Sequence, residues 1–192
     1  MTPQEYQLTT TLASGSATWR HYVRNLVANP QIVNISNYGA FFSTATQNSG
    51  GVNSANKVLL DSVDTTNGIS LVNNGLVISN AGQYLINWLG QFKFVGGGSS
   101  TQGNITTWYT INGVAAPNSS FTFFLPSTNQ FQVLTNVEDI NSFNVGDRVE
   151  FYWWSDIPQN GSNYVSLNYT PAASNPTRPA SPSAKVTISQ LN

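Results

Sequence analysis

The chain has 192 residues, with seven Lys plus Arg against eight Asp plus Glu and a formal net charge of −1. At 8% charged it lies far below the roughly 25% of an ordinary globular domain, and Asn, Ser, Thr and Gln supply its polarity instead. That balance excludes the long-range field that draws in nucleic acid or anionic lipid, and a sequence without Cys excludes disulfides, thiol chemistry and thiolate metal sites.

Met1 to Thr11 offer neither a basic n-region nor an apolar h-region, so no signal peptide is predicted and synthesis in a cytoplasm is expected. No apolar stretch approaches the ~18 residues that span a bilayer. The longest candidate, Tyr84 to Val95, is broken by Asn87, Gln91 and Lys93. Residues 1–35 read as an N-terminal arm. Within it, Ser16 to Asn29 carries Trp19, Tyr22, Val23, Leu26 and Val27 at near-helical spacing, with Arg20 and Arg24 one turn apart and Pro30 as the stop. At most one short helix is predicted there. Trp19, Arg20, Tyr22, Val23, Arg24 and Leu26 are candidate docking residues for a partner surface. The alternative is a helix packed on the following domain.

From Ser36 onward the period is two. Tyr84, Ile86, Trp88, Gly90, Phe92 and Phe94 fall on one face of a long strand, and Gln83, Leu85, Asn87, Leu89, Gln91 and Lys93 on the other. Gly96 to Gly103 reads as a loop. Alternating runs follow at Ile105/Thr107/Tyr109/Ile111, stopped by the tight-turn pair Asn112-Gly113, and then at Phe121/Phe123/Leu125 and Phe131/Val133/Thr135/Val137. The last are Val149/Phe151/Trp153, Val165/Leu167/Tyr169 and Val186/Ile188. About ten short strands with no second helix predict an all-β antiparallel sandwich or barrel over residues 36–192. The stretch Pro171 to Pro182, which also holds Pro176 and Pro179, cannot be a central strand and reads as an ordered excursion. No fixed-period repeat, collagen triplet or heptad is present, so any oligomer must form through the domain itself.

The order of motifs resembles the jelly-roll family of tumour necrosis factor and the globular heads of complement component one-q, in a viral, phage-type structural version. The resemblance begins at Tyr38-Gly-Ala-Phe-Phe42 and runs through Leu59-Leu-Asp-Ser-Val63. It continues at Gly75-Leu-Val-Ile-Ser-Asn-Ala-Gly82-Gln-Tyr84-Leu-Ile86, and at the Gly146-Asp147 turn before Arg148-Val149. The ending Pro182 to Leu191 is similar to the last strand of viral versions. It implies an antiparallel jelly-roll sandwich that assembles as a homotrimer through aromatics on one sheet. The Pro-rich excursion and the non-collagenous arm depart from the family pattern, so no receptor-binding residues carry over.

Candidate chemistry is sparse. His21, the only His, stands in the arm and suits a surface or docking residue rather than a triad. Adjacent Glu138 and Asp139 face opposite ways on a strand, which suits neither chelation nor acid–base pairing, and a strand end is expected for them. Asp61 and Asp64 suit turn-capping, with a cation shared with loop carbonyls as the alternative. The five Asn-x-Ser/Thr sequences are what chance gives in a chain with 24 Asn. No catalytic residue, metal ligand or cofactor site is assigned.

The pair Trp153-Trp154 is more informative. Alternation with Val149 and Phe151 puts Trp153 inside and Trp154, with Tyr152, outside. Exposed aromatics suit a subunit interface or a carbohydrate platform. Leu85, Leu89, Tyr152 and Trp154 are the expected trimer interface. The expected function is that of a non-enzymatic virion structural protein, a trimeric capsid decoration or head-fibre protein held by its arm. The alternative is the receptor-binding or adhesion tip of a viral tail fibre or spike. The expected partners are its own copies, a capsid or other virion protein and a host surface glycan, with neither nucleic acid nor membrane. An RNA-packaging shell is disfavoured, because residues 1–35 set only Arg20 and Arg24 against Glu5.

Overall fold

In the computed structural model the chain divides into two units, Met1–Asn34 and Ile35–Asn192. The structure describes residues 37–96, 103–125, 132–157 and 163–191. The arm, with Trp19, Arg20, His21, Tyr22, Val23, Arg24 and Leu26, lies outside the described residues.

The described residues are all β. Sixteen strands follow in order: β1 Tyr38–Ser43, β2 Gln47–Asn48, β3 Asn56–Lys57, β4 Ser62–Asn67, β5 Ile69–Val72, β6 Gly75–Ile78, β7 Gly82–Val95 and β8 Gly103–Ile111. Then come β9 Val114–Ala115, β10 Phe121–Leu125, β11 Gln132–Phe143, β12 Arg148–Ser155, β13 Tyr164–Leu167, β14 Ala173–Ser174, β15 Thr177–Arg178 and β16 Ala184–Leu191. Five are two-residue pairings, and the remaining eleven build the sandwich.

Fourteen of these strands form two antiparallel sheets, and β14 and β15 pair separately. The first runs β2-β13-β7-β16-β1-β4 with β11 on the other edge of β7, and the second runs β10-β8-β12-β6-β5. Eight of these strands, β11-β7-β16-β1 in the first sheet and β10-β8-β12-β6 in the second, lie side by side in two layers of four. The chain thus crosses repeatedly from sheet to sheet, and each sheet pairs strands distant in sequence. That order is the double Greek key of a jelly roll.

β7 is the beam of the first sheet. β11 pairs with it from Gly82 to Lys93, while β16 and β13 share its opposite edge in succession. Its alternation holds along its length: Tyr84, Ile86, Trp88, Phe92 and Phe94 are buried, and Leu85, Asn87, Leu89, Gln91 and Lys93 are half-buried. Gly90 faces inward too. A Cβ there would meet the Phe92 ring at 2.7 Å, so the glycine makes room for that ring.

The core between the sheets is aromatic. Phe92 packs edge-on against Trp153 at 5.4 Å and tilts against Phe123 at 5.3 Å, while Trp88 stacks on Phe151 at 6.1 Å. Tyr84 tilts against Phe143, and its hydroxyl donates to the Asn80 carbonyl, so the buried phenol is satisfied. Phe121 departs from its predicted alternation. It opens β10 at the edge of the second sheet and is 45% exposed.

Turn chemistry fixes the ends. Asn112 and Gly113 both take positive φ, the hairpin conformation that Asn-Gly favours. The Asn112 amide donates to Asp147 Oδ1 and its Oδ1 accepts from the Arg148 N–H, locking this hairpin to the turn around Gly146. The Pro-rich excursion forms its own hairpin, β14–β15, closed by a Thr170–Ser181 bridge and by Arg178 donating to the Pro171 carbonyl. No helix among the described residues is long and apolar enough to cross a membrane.

Candidate functional site

Alternation along β7, β16, β1 and β11 gives the first sheet an outward face. On β7, Leu85 and Leu89 flank Asn87, and Leu85 stands opposite Ile140 of β11, which is 58% exposed. Asn87 donates to Glu138 at 3.0 Å in the middle of the face. Thr187 and Lys185 of β16 stand opposite Asn87 and Leu89 in turn. Tyr38 and Phe42 of β1 continue the surface. A shallow cleft of about 250 Å³ opens at its margin, walled by Leu89, Gln91, Lys185 and the end of the Pro-rich segment. The face is broad, apolar at its periphery and polar at its centre.

The second sheet also has an outward face, and a different one. Tyr152 and Trp154 project from β12, and Trp108 from the opposing position on β8. The Trp108 and Tyr152 rings lie nearly parallel, 13° apart, with centroids at 5.8 Å. Trp154 Nε1 donates to the Val52 carbonyl. One step along β12, Glu150 accepts from Lys57 Nζ and Arg148 Nε, each at 2.7 Å, and from the Tyr152 hydroxyl at 3.3 Å. Lys57 Nζ and Arg148 Nη2 both donate to the Asn73 carbonyl as well. Gly75 opens the space for this arrangement: a Cβ there would meet the Arg148 guanidinium at 2.7 Å. Burial pushes the Glu150 carboxyl up, but hydrogen bonds and charge from Lys57 and Arg148 outweigh it and hold the pKa below the usual carboxylate value. Burial, then the Glu150 charge, raises the Tyr152 phenol.

The four expected interface residues therefore do not form one patch. Leu85 and Leu89 belong to the outer face of the first sheet, Tyr152 and Trp154 to the outer face of the second. The two pairs point away from each other across the sandwich, so no single contiguous contact covers all four. The inward assignment of Trp153, at 0% exposure, and the outward assignment of Trp154 agree with the alternation of β12.

Glu138 and Asp139 do face opposite ways, but they stand in mid-strand on β11 rather than at a strand end. Asp139 turns inward to accept from the Tyr109 hydroxyl, which also accepts from the Asn141 amide at 3.0 Å. This ties β8 of one sheet to β11 of the other. Burial, then the hydrogen bond to Asp139, pushes the Tyr109 phenol up to about 12. Asp61 caps its turn, accepting from the Thr44 N–H and from the hydroxyls of Thr44 and Ser62. Asp64 stands exposed on β4. Among the described residues no three His, Asp or Glu side chains converge as metal ligands would.

Sequence reasoning passed over Trp108, Lys57, Arg148 and Glu150 as site residues. Trp108 had a readable signal, since the inward set Ile105/Thr107/Tyr109 leaves it outward. The ion cluster had none, because Lys57 lies about ninety residues from its partners in sequence.

The sequence matches no family model and no curated protein. Among solved structures it is similar to murine APRIL, in crystals at pH 5.0 and pH 8.0. Identity is 9% in both, with TM-scores of 0.46 and 0.47, covering 81% of this chain and 98% of that chain. The jelly-roll assignment rests on the strand order itself.

Proposed function

We propose that the chain is a non-enzymatic virion structural protein, a homotrimeric jelly roll that decorates a capsid or forms a head fibre and is held by residues 1–35. The observation that carries the assembly half is the outer face of the first sheet, where Leu85, Leu89 and Ile140 leave apolar surface to be covered. Jelly rolls recur in viral capsid and lectin domains, which supports the class by analogy of fold. The engagement of the carboxylates supports a non-catalytic reading. Asp61, Asp147 and Asp156 bond to turn and strand-end groups, Glu138 bonds to Asn87 on the outer face of the first sheet, Asp139 bonds within the sandwich, and Glu150 is held by two cations.

Light scattering on the purified chain is expected to give a trimer, and Ile140→Asp to shift it to monomer with the fold intact. A wild-type monomer at micromolar concentration sinks the assembly half. The anchoring half is tested separately. Deleting residues 1–35 is expected to leave a folded trimer that no longer joins particles, because Trp19 to Leu26 would supply burial and Arg20 and Arg24 charge pairing on the partner. A truncated trimer that still decorates particles at full occupancy overturns the docking arm.

A second reading, the receptor-binding or adhesion tip of a viral tail fibre or spike, is favoured by one observation: the aromatic and ionic face of the second sheet.

A further inference from the structure

We infer that the outer face of the second sheet is a binding site for an acidic saccharide, a pyranose bearing a carboxylate. The site comprises Trp108, Tyr152 and Trp154 with Lys57, Arg148 and Glu150.

Three observations carry it. The first is the rings. Trp108 and Tyr152 lie parallel across the β8–β12 pair, and Trp154 stands on the same face two residues along β12, about 7 Å away at strand spacing. The polar edges of Tyr152 and Trp154 are tied down, by Glu150 and by the Val52 carbonyl. Their rings are therefore fixed in place before any ligand arrives, which lowers the ordering cost of binding. All three are only half-buried. A half-exposed cluster of aromatic rings, two of them stacked on each other, suits the apolar C–H groups of a pyranose.

The second is charge. In a chain with seven cations and eight carboxylates, three charged side chains meet at this one place. Their exposures differ in a directed way. The Glu150 side chain is 13% exposed, whereas Lys57 and Arg148 are 28% and 27% exposed. The carboxylate sits beneath and orients the two cations, so the net charge presented outward is positive. A guanidinium and an ammonium beside an aromatic strip complement a sugar carboxylate and its neighbouring hydroxyls.

The third is what the face cannot take. β8 and β12 are central strands, paired on both sides, so an extended peptide finds no free backbone edge to add to. Two cations are too few for a phosphate backbone, whose binding needs many such contacts.

The inference deepens the adhesion reading and uses the face opposite to Leu85, Leu89 and Ile140, so its failure leaves trimer formation and particle decoration untouched. The test uses the purified full-length chain with oligogalacturonate as the acidic probe and the corresponding neutral galactose oligomer as its control. Calorimetry and tryptophan fluorescence read the binding, with light scattering and thermal melts in parallel. Oligogalacturonate is expected to bind in a salt-sensitive manner, at least about tenfold more tightly than the neutral oligomer. Trp108→Ala is expected to weaken binding about tenfold through lost stacking, and Lys57→Gln by a similar factor through lost charge. Both variants are expected to stay folded and trimeric. No binding of the acidic probe at about 10 mM, or binding that Trp108→Ala leaves unchanged, overturns the site. So does a Trp108→Ala or Lys57→Gln protein that is folded but no longer trimeric, because the face would then be an interface between copies of the chain.

Discussion

Trp153→Ala is expected to cost about 3–5 kcal/mol of folding stability, the range for deleting a large aromatic from a packed core. Trp153 is 0% exposed and meets the Phe92 ring edge-on at 5.4 Å, so its loss opens a cavity between the two sheets at their most aromatic point. Against a typical total of about 5–15 kcal/mol, that brings the domain near unfolding. Trp154→Ser, one residue on, is expected to cost about 1 kcal/mol or less, the scale of one hydrogen bond lost from a half-exposed side chain. It is also expected to leave the trimer intact, since Trp154 lies opposite the Leu85–Leu89 face. Urea unfolding of both variants measures the difference. A larger loss for Trp154→Ser than for Trp153→Ala would mean that β12 presents its faces the other way round.

The second large effect is alkaline. The Tyr109 phenol is raised from 10.0 to about 12 by burial and by its bond to Asp139. The unfolded chain therefore ionises this group first. The contribution is fully present below pH 10 and is lost as pH rises through 12. Two pH units of displacement correspond to about 2–3 kcal/mol. Tyr109→Phe is expected to cost about 1–3 kcal/mol near neutrality, because Asp139 loses its donor inside the sandwich, and to remove this part of the alkaline decline. Unfolding midpoints for both proteins at pH 8 and pH 11.5 decide the matter. An unchanged decline in Tyr109→Phe would show that the inter-sheet bond does not hold the phenol neutral.

What was legible in the sequence was whatever a single strand dictates. The two-residue period of Tyr84 to Phe94 placed each β7 side chain on its face, and the same reasoning separated Trp153 from Trp154. Asn112-Gly113 and Gly146-Asp147 were readable as turns because only a few residue types accept such backbone angles. Alternation says nothing about which sheet a strand joins. Leu85, Leu89, Tyr152 and Trp154 read as one surface for that reason, although β7 and β12 lie in different layers. Asp139 failed differently. A carboxylate turned inward at mid-strand contradicts the usual pattern, and only the arrival of Tyr109 from the facing sheet makes it tolerable. The Lys57–Glu150–Arg148 cluster is likewise a product of tertiary pairing.

The pairing of β1 with β16 carries a consequence in time. The Gln190 N–H donates to the Asn37 carbonyl at 2.8 Å, and the two strands run in register from Tyr38 opposite Ser189 to Ser43 opposite Ala184. A ribosome delivers β1 nearly 150 residues before its neighbour exists. β4, on its far side, is the first sheet partner available to it. Until β16 emerges, β1 and β7 both show open backbone edges on a nascent chain, and the gap between them is one strand wide. Proteins with such distant pairings fold slowly. β16, the last of the described strands, is the one that joins the two halves of the first sheet, so the domain acquires its cooperativity only once β16 has been made.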